Sequence, residues 1–228
     1  MHDWRAIQDR LARLGFDPGP IDGIRGPRTD GAITAFKRSI GFRARPYYGP
    51  LTHAALMQAA PAGEGLPWMR EAARLRGLHE RRDEAALEGW MRRHLPAAWW
   101  SAPRWVDVPR VPWCGLFVAT VLRAAGMPEG FPSNPLSARA WGAWGEMAEP
   151  VFGALLVFSR PGGGHVGFCH GEDRTHFHVL GGNQSNAVTV SRIARSRFLA
   201  ARWPAGVPRT GRRIALGADG VPVSANEA

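Results

Sequence analysis

The chain has 228 residues, 45% hydrophobic and 21% charged, with 29 Lys and Arg against 19 Asp and Glu, giving a formal charge of +10 at pH 7. This is the composition of a folded protein of one or two domains, each large enough to bury a core. No run approaches the ~18 consecutive apolar residues of a membrane span. The two cysteines, Cys114 and Cys169, are too few for a disulfide framework.

Residues 4–14 carry a helical pattern, with Trp4, Ile7, Leu11 and Leu14 at spacings of three and four. Gly15 to Pro20 ends that helix in a loop. Gly26-Pro27-Arg28-Thr29 then opens a second helix with Ile33, Phe36 and Ile40, since proline is favoured where its missing N–H would be unsatisfied. The pattern recurs at Gly49-Pro50-Leu51-Thr52, as G-P-x-T-x-x-A-(I/L), so residues 1–60 read as a compact helical module with an internal repeat. Residues 61–66 are a linker by composition. A helical region from Pro67 to Arg93 is interrupted near Gly77. Its carboxylates, Glu71, Glu80, Asp83, Glu84 and Glu88, alternate with arginines and read as a solvated face.

Trp113 to Ala125 reads as a buried helix with Gly126 as its stop, followed by a short helix near 137–145. Apolar runs at 154–159, 165–170, 176–180 and 187–190 read as strands of a small antiparallel sheet. Residues 205–228, rich in Gly, Pro and Arg, read as a flexible tail.

Cys114 opens an apolar helix. The N–H groups and dipole of a helix N-terminus stabilise a thiolate and can donate to an oxyanion. Gly115 beside it allows close backbone approach to a substrate. His165 follows three glycines and begins the strand Val166-Gly167-Phe168-Cys169-His170, so Cys114 and His165 form a candidate nucleophile and base. Pairing His170 with His176 across a turn at 171–175 places His165 opposite Gly181, with Asn183 one diagonal step away on the same face. Asn183 is the expected orienter of the imidazole. A one-residue slip would move it to the other face, leaving Gln184 or Ser185. His176 and His178 share a strand face and read as exposed rather than as metal ligands. His165 and Cys169 are four residues apart, some 13 Å at ~3.3 Å per residue, too far for one zinc ion. Cys169 is therefore a core thiol, and His170 is expected to be solvated. No metal or cofactor is expected.

Two resemblances follow. Residues 4–58 resemble the three-helix peptidoglycan-binding module of cell-wall hydrolases, through Leu14-Gly15-Phe16, Pro20-Ile21-Asp22-Gly23, Gly26-Pro27-Arg28-Thr29, Ala32, Phe36 and Gly49-Pro50-Leu51-Thr52. Residues 67–204 resemble the NlpC/P60 and CHAP peptidoglycan hydrolases, through Pro112-Trp113-Cys114-Gly115-Leu116-Phe117-Val118, Pro135-Leu136-Ser137-Ala138-Arg139, Gly164-His165-Val166-Gly167-Phe168 and Leu180-Gly181-Gly182-Asn183-Gln184-Ser185. The second resemblance implies an α+β, papain-like domain with an antiparallel sheet behind the small helical domain. It implies Cys114 as nucleophile, His165 as base and Asn183 as third residue, hydrolysing a stem-peptide amide through a thioester. Either endopeptidase or N-acetylmuramoyl-L-alanine amidase specificity is compatible with it. Substrate contacts are expected from Trp113, Gly115 and Gln184, and wall contacts from Asp22 and Gly23.

The expected partner is bacterial peptidoglycan, bound by a monomer whose positive charge favours anionic wall polymers. The arginines are too dispersed for a nucleic-acid motif. Met1-His2-Asp3-Trp4-Arg5 lacks the apolar run of a signal peptide. Synthesis in the cytoplasm is expected, with release by a holin or delivery by a phage-like or secretion apparatus. The competing expectation is a non-catalytic wall-binding or virion-structural protein with a degenerate hydrolase domain.

Overall fold

The computed structural model describes residues 2–14, 16–40, 42–59, 66–101, 108, 110–127, 130–217 and 223. All of the expected linker except Leu66 lies outside the described residues, as does Gly15 of the Leu14-Gly15-Phe16 motif.

The helical module contains α1 (Trp4–Arg13), α2 (Pro27–Ser39) and α3 (Pro50–Gln58). Asp3 caps α1 by accepting the Ala6 N–H at 3.0 Å. The two G-P-x-T segments fold alike: an extended glycine caps each of α2 and α3, proline occupies the first turn, and Thr29 and Thr52 are buried. Ile7, Leu11, Phe16, Ile33, Phe36 and Leu56 close a core separate from that of the remaining chain. Two separate apolar cores make two folding units.

The second unit is α+β. Its helices are α4 (Pro67–Arg74), α5 (Glu84–His94), α6 (Ala98–Ser101) and α7 (Cys114–Ala124), followed by a 3-10 turn at Ala138–Ala143. The sheet contains β1 (Glu146–Met147), β2 (Leu155–Arg160), β3 (Gly163–Glu172), β4 (His176–Gln184), β5 (Ala187–Ala194) and β6 (Phe198–Trp203). All pairs are antiparallel, in the order β1-β6-β2-β3-β4-β5. Every residue from Cys114 to Leu122 is buried, because α7 lies between β3 and β4 on one side and α4 and α5 on the other. A helix apolar all round is stable only in such a central position.

Gly77, at φ +90°, ends α4's extension, and residues 77–80 then run alongside the start of β5. Gly77 N–H donates to Val188 O at 2.9 Å and Glu80 N–H to Asn186 O at 2.8 Å.

Three expectations are corrected here. Glu80 is buried, not solvated, and accepts the Trp113 indole N–H at 3.0 Å. Residues 212–216 are not a loose tail: Phe152 N–H donates to Arg212 O, and Glu172 and Leu216 exchange bonds with Ile214 and Glu172, which lays the segment along β3 and buries Ile214. Finally, His170 does not pair with His176. A bulge between Cys169 and Gly171 offsets β3 against β4, so Phe168 faces Leu180 and Gly171 faces His178.

Candidate active site

Cys114 stands at the first turn of α7, and the amide of Val166, the residue after His165, is among the groups that favour its thiolate. The helix that opens on Cys114 packs against β3, the strand that carries His165, and His165 Nδ1 is buried without a hydrogen-bond partner among the described residues. Burial pushes the Cys114 thiol above its ordinary pKa, against the opposing pull of the Val166 amide, Arg160 and the amides of Gly115 and Cys114. Both side chains are nearly enclosed, Cys114 at 3% exposure and His165 at 1%.

The side chain that meets His165 Nε2 is Gln184. Its Oε1 lies 3.1 Å from His165 Nε2. Its Nε2 points at the carbonyls of Val179 at 3.1 Å, Gly181 at 3.3 Å and Thr189 at 2.6 Å. Carbonyls only accept, so the amide orientation is fixed and Oε1 must accept from His165 Nε2–H. The neutral ring then carries its lone pair on Nδ1, the tautomer a base needs if Nδ1 is to take the thiol proton. Gln184, expected as a substrate contact and as the fallback orienter, is fully buried and accepts from the imidazole.

Asn183, expected in that role, has no hydrogen bond to His165 among the described residues. It sits at φ +56° inside a second bulge, between Gly181 and Gln184, that breaks the alternation on which its placement relied. Ser185 and Asn186, both at positive φ, form the two-residue turn into β5.

Trp113 and Gly115 are structural here rather than substrate-facing. The Trp113 ring is fully buried, held by Glu80, and packs so closely on Gly182 that a side chain there would strike it. Gly115 lies under the Pro135 carbonyl, which also accepts the Trp141 indole N–H at 3.0 Å. A Cβ on Gly115 would collide with that oxygen. Gly115→Ala is therefore expected to destabilise the second unit by about 3 kcal/mol, the upper range for overpacking. A urea-unfolding midpoint equal to wild type would refute this close approach.

Cys169 is a core thiol, with its pKa pushed up to about 12, chiefly by burial. Its folded value exceeds its unfolded one, so the unfolded chain releases its proton first and stability falls as pH rises. Across the window from the ordinary 9.0 to about 12, the loss is of order 4 kcal/mol. Urea unfolding between those pH values should show this slope in wild type and a flatter one in Cys169→Ala. Equal slopes would contradict it.

His176 and His178 are not an exposed pair. His178 is fully buried, with Nε2 3.0 Å from Asp173 Oδ2, and His176 Nδ1 lies 2.8 Å from Thr175 Oγ1. His170, expected to be solvated, is half-buried, and burial pushes its pKa down to about 4. Among the described residues no group of three or more His, Cys, Asp or Glu could hold a metal, and no helix is long and apolar enough to cross a membrane.

In the helical module, sequence reasoning missed Gln8. It is buried in α1, and its Nε2 donates to Asp22 Oδ1 at 3.0 Å, Ile24 O at 2.9 Å and Thr29 Oγ1 at 3.2 Å, while its Oε1 accepts Gly23 N–H at 2.8 Å. Asp22 also takes the Ile24 N–H at 2.8 Å. Asp22 and Gly23 thus brace the loop between α1 and α2. Residues 2–56 match the family model described as "Putative peptidoglycan binding domain". No curated protein and no solved structure matches the chain. This match supports a peptidoglycan-binding module at residues 2–56, with peptidoglycan as its partner. The buried Gln8 ties the loop motif Asp22-Gly23 to the Thr29 of the G-P-x-T repeat.

Proposed function

We propose that the protein is a peptidoglycan hydrolase in which the binding domain holds the wall while the α+β unit cleaves an amide of the stem peptide. One observation carries this reading: His165 is oriented by Gln184 in the tautomer that leaves Nδ1 basic, on a strand packed against the helix that opens on Cys114. His165 takes the Cys114 proton as sulfur attacks the carbonyl carbon. The resulting oxyanion is met by N–H groups at the start of α7, the proton passes to the leaving amine, and water hydrolyses the thioester. A helix opening on the cysteine and packed on an antiparallel sheet that carries the histidine supports the papain-like, NlpC/P60–CHAP reading. Tethering by the module raises the local concentration of substrate. A cavity of about 520 Å³ lined by Lys37, Phe42, Tyr47 and Leu51, with the last three exposed, supports that face rather than Asp22 and Gly23 as the module's wall contact.

A second reading, a wall-binding protein with an idle hydrolase domain, is favoured by the enclosure of Cys114 and its raised pKa. Digestion of purified sacculi, with mass spectrometry of the soluble fragments, separates the two. New stem-peptide products support the hydrolase, and their masses name the bond. Absence of products while the protein still sediments with sacculi establishes the second reading.

A further inference from the structure

At the seam between the two units lies a cavity of about 340 Å³, away from Cys114. The α+β unit contributes Arg76, His170, His178, Val190 and Leu216 to its wall, and the binding domain contributes Asp17 among others. Small-ligand sites begin near about 300 Å³. The cavity's polar groups are incomplete. His178 Nδ1 and His170 Nδ1 are buried and have no hydrogen-bond partner. Neither proposed reaction step uses them.

The state of His178 can be derived. Asp173 accepts Arg192 Nε–H at 2.7 Å and the amides of Thr175 at 2.8 Å and His176 at 2.9 Å. These bonds hold its carboxyl well below the usual range despite its burial, so it is a carboxylate. A carboxylate can only accept from His178 Nε2, so Nε2 carries the hydrogen and Nδ1 presents a lone pair. A buried acceptor left without a donor is a costly arrangement, and a ligand N–H would complete it. Arg76 supplies the opposite demand. It is exposed, has no carboxylate partner among the described residues, and lies close enough to His170 to disfavour its protonation. Asp17, across the cavity, is already paired with Arg28. A metal ion would meet only two imidazoles beside a guanidinium. An anion carrying a nearby N–H, with a small apolar group for Val190 and Leu216, meets Arg76, His178 and the apolar wall.

We infer that this seam cavity is a second, non-catalytic subsite for the carboxyl-terminal end of a wall stem peptide, with the terminal carboxylate on Arg76 and the adjoining amide N–H donating to His178 Nδ1. A peptide C-terminus carries these two groups on one residue, and an alanine methyl matches the apolar wall. Because both units line the cavity, an occupied subsite ties the binding domain to the α+β unit. The choice of a wall peptide rests on the peptidoglycan reading above, but the subsite does not require the hydrolytic one.

The test is calorimetric titration of the full chain carrying Cys114→Ala, so that turnover plays no part. The probes are N-acetyl-D-alanyl-D-alanine, its C-terminal amide and inorganic phosphate. The free-acid peptide is expected to bind, with the amide at least tenfold weaker, phosphate weaker still, and Arg76→Gln reducing affinity for the acid at least tenfold. Arg76 is exposed, so that variant keeps the fold. His178→Gln, confirmed folded by circular dichroism, should weaken both peptides. No binding of the acid at millimolar concentration, equal binding of acid and amide, or indifference to Arg76→Gln would overturn the subsite whether or not the protein cleaves sacculi. Phosphate binding as tightly as the peptide would overturn it in favour of a plain anion site.

Discussion

Cys114→Ala is expected to lower release of stem-peptide fragments from purified sacculi by about 10⁴-fold or more, while sedimentation with sacculi stays at the wild-type level. Removing the nucleophile from a site that works as a unit forfeits nearly all of its catalysis, not a share of it. In the proposed reading, retention on the wall belongs to residues 2–56, whose core is closed separately from the α+β core. The substitution should therefore divide cutting from binding. The raised pKa of Cys114 adds a second readout. A thiol raised above its ordinary value is neutral at pH 7, so under the proposed mechanism its proton must leave during attack and pass to His165. Alkylation of Cys114 by iodoacetamide should accordingly be slow at pH 7 and reach half its limiting rate only above pH 9.0, the thiol's ordinary value. Rapid alkylation at pH 7 would mean a preformed thiolate, and hence an ion pair with His165. Unchanged fragment release by Cys114→Ala would remove the thiol mechanism altogether.

Features whose cause is local were legible in the sequence. The G-P-x-T repeat predicted two helix starts because proline and an extended glycine act within one turn, and both starts are present at Gly26 and Gly49. The α7 helix was legible because apolar residues surround it completely. Four strands were found by their apolar runs, whereas β1, only two residues long, and β6 were missed. Features that depend on register were not legible. Two bulges, at Cys169/Gly171 and at Gly181/Gln184, each shift one strand against its partner, and alternation counted along the sequence has no signal for either. Positive φ at Asn183, Ser185 and Asn186 marks the second bulge and its turn. The residue types offered a hint, since asparagine tolerates that conformation better than most. Glu80 and His178 were misread for a different reason. Each is charged or ionisable and sits among polar neighbours, but its burial is set by a partner distant in sequence or across a turn, Trp113 for one and Asp173 for the other.

Gln184→Ala is expected to lower kcat about a hundredfold with a smaller change in KM, and Asn183→Ala to leave kcat within about twofold. The contrast follows from the hydrogen bonds. Gln184 Oε1 holds His165 Nε2–H at 3.1 Å, and its Nε2 is locked by three backbone carbonyls, so the imidazole is fixed as one tautomer and one ring orientation. Alanine removes that orientation and also leaves the carbonyls short of a donor, which costs about 1–3 kcal/mol of stability. The kinetic comparison must therefore be made where circular dichroism shows both variants folded. Gln184→Glu separates positioning from packing. It keeps an acceptor for His165 Nε2–H and adds a negative charge beside the ring, which favours the protonated imidazole. The base then stays protonated to higher pH, and the acidic limb of the pH–kcat profile should move upward. A purely structural role for Gln184 would lower activity in both variants without moving that limb. Loss of activity in Asn183→Ala, with Gln184→Ala near wild type, would return the orienting role to Asn183 and would mean that the two bulges are arranged differently around His165.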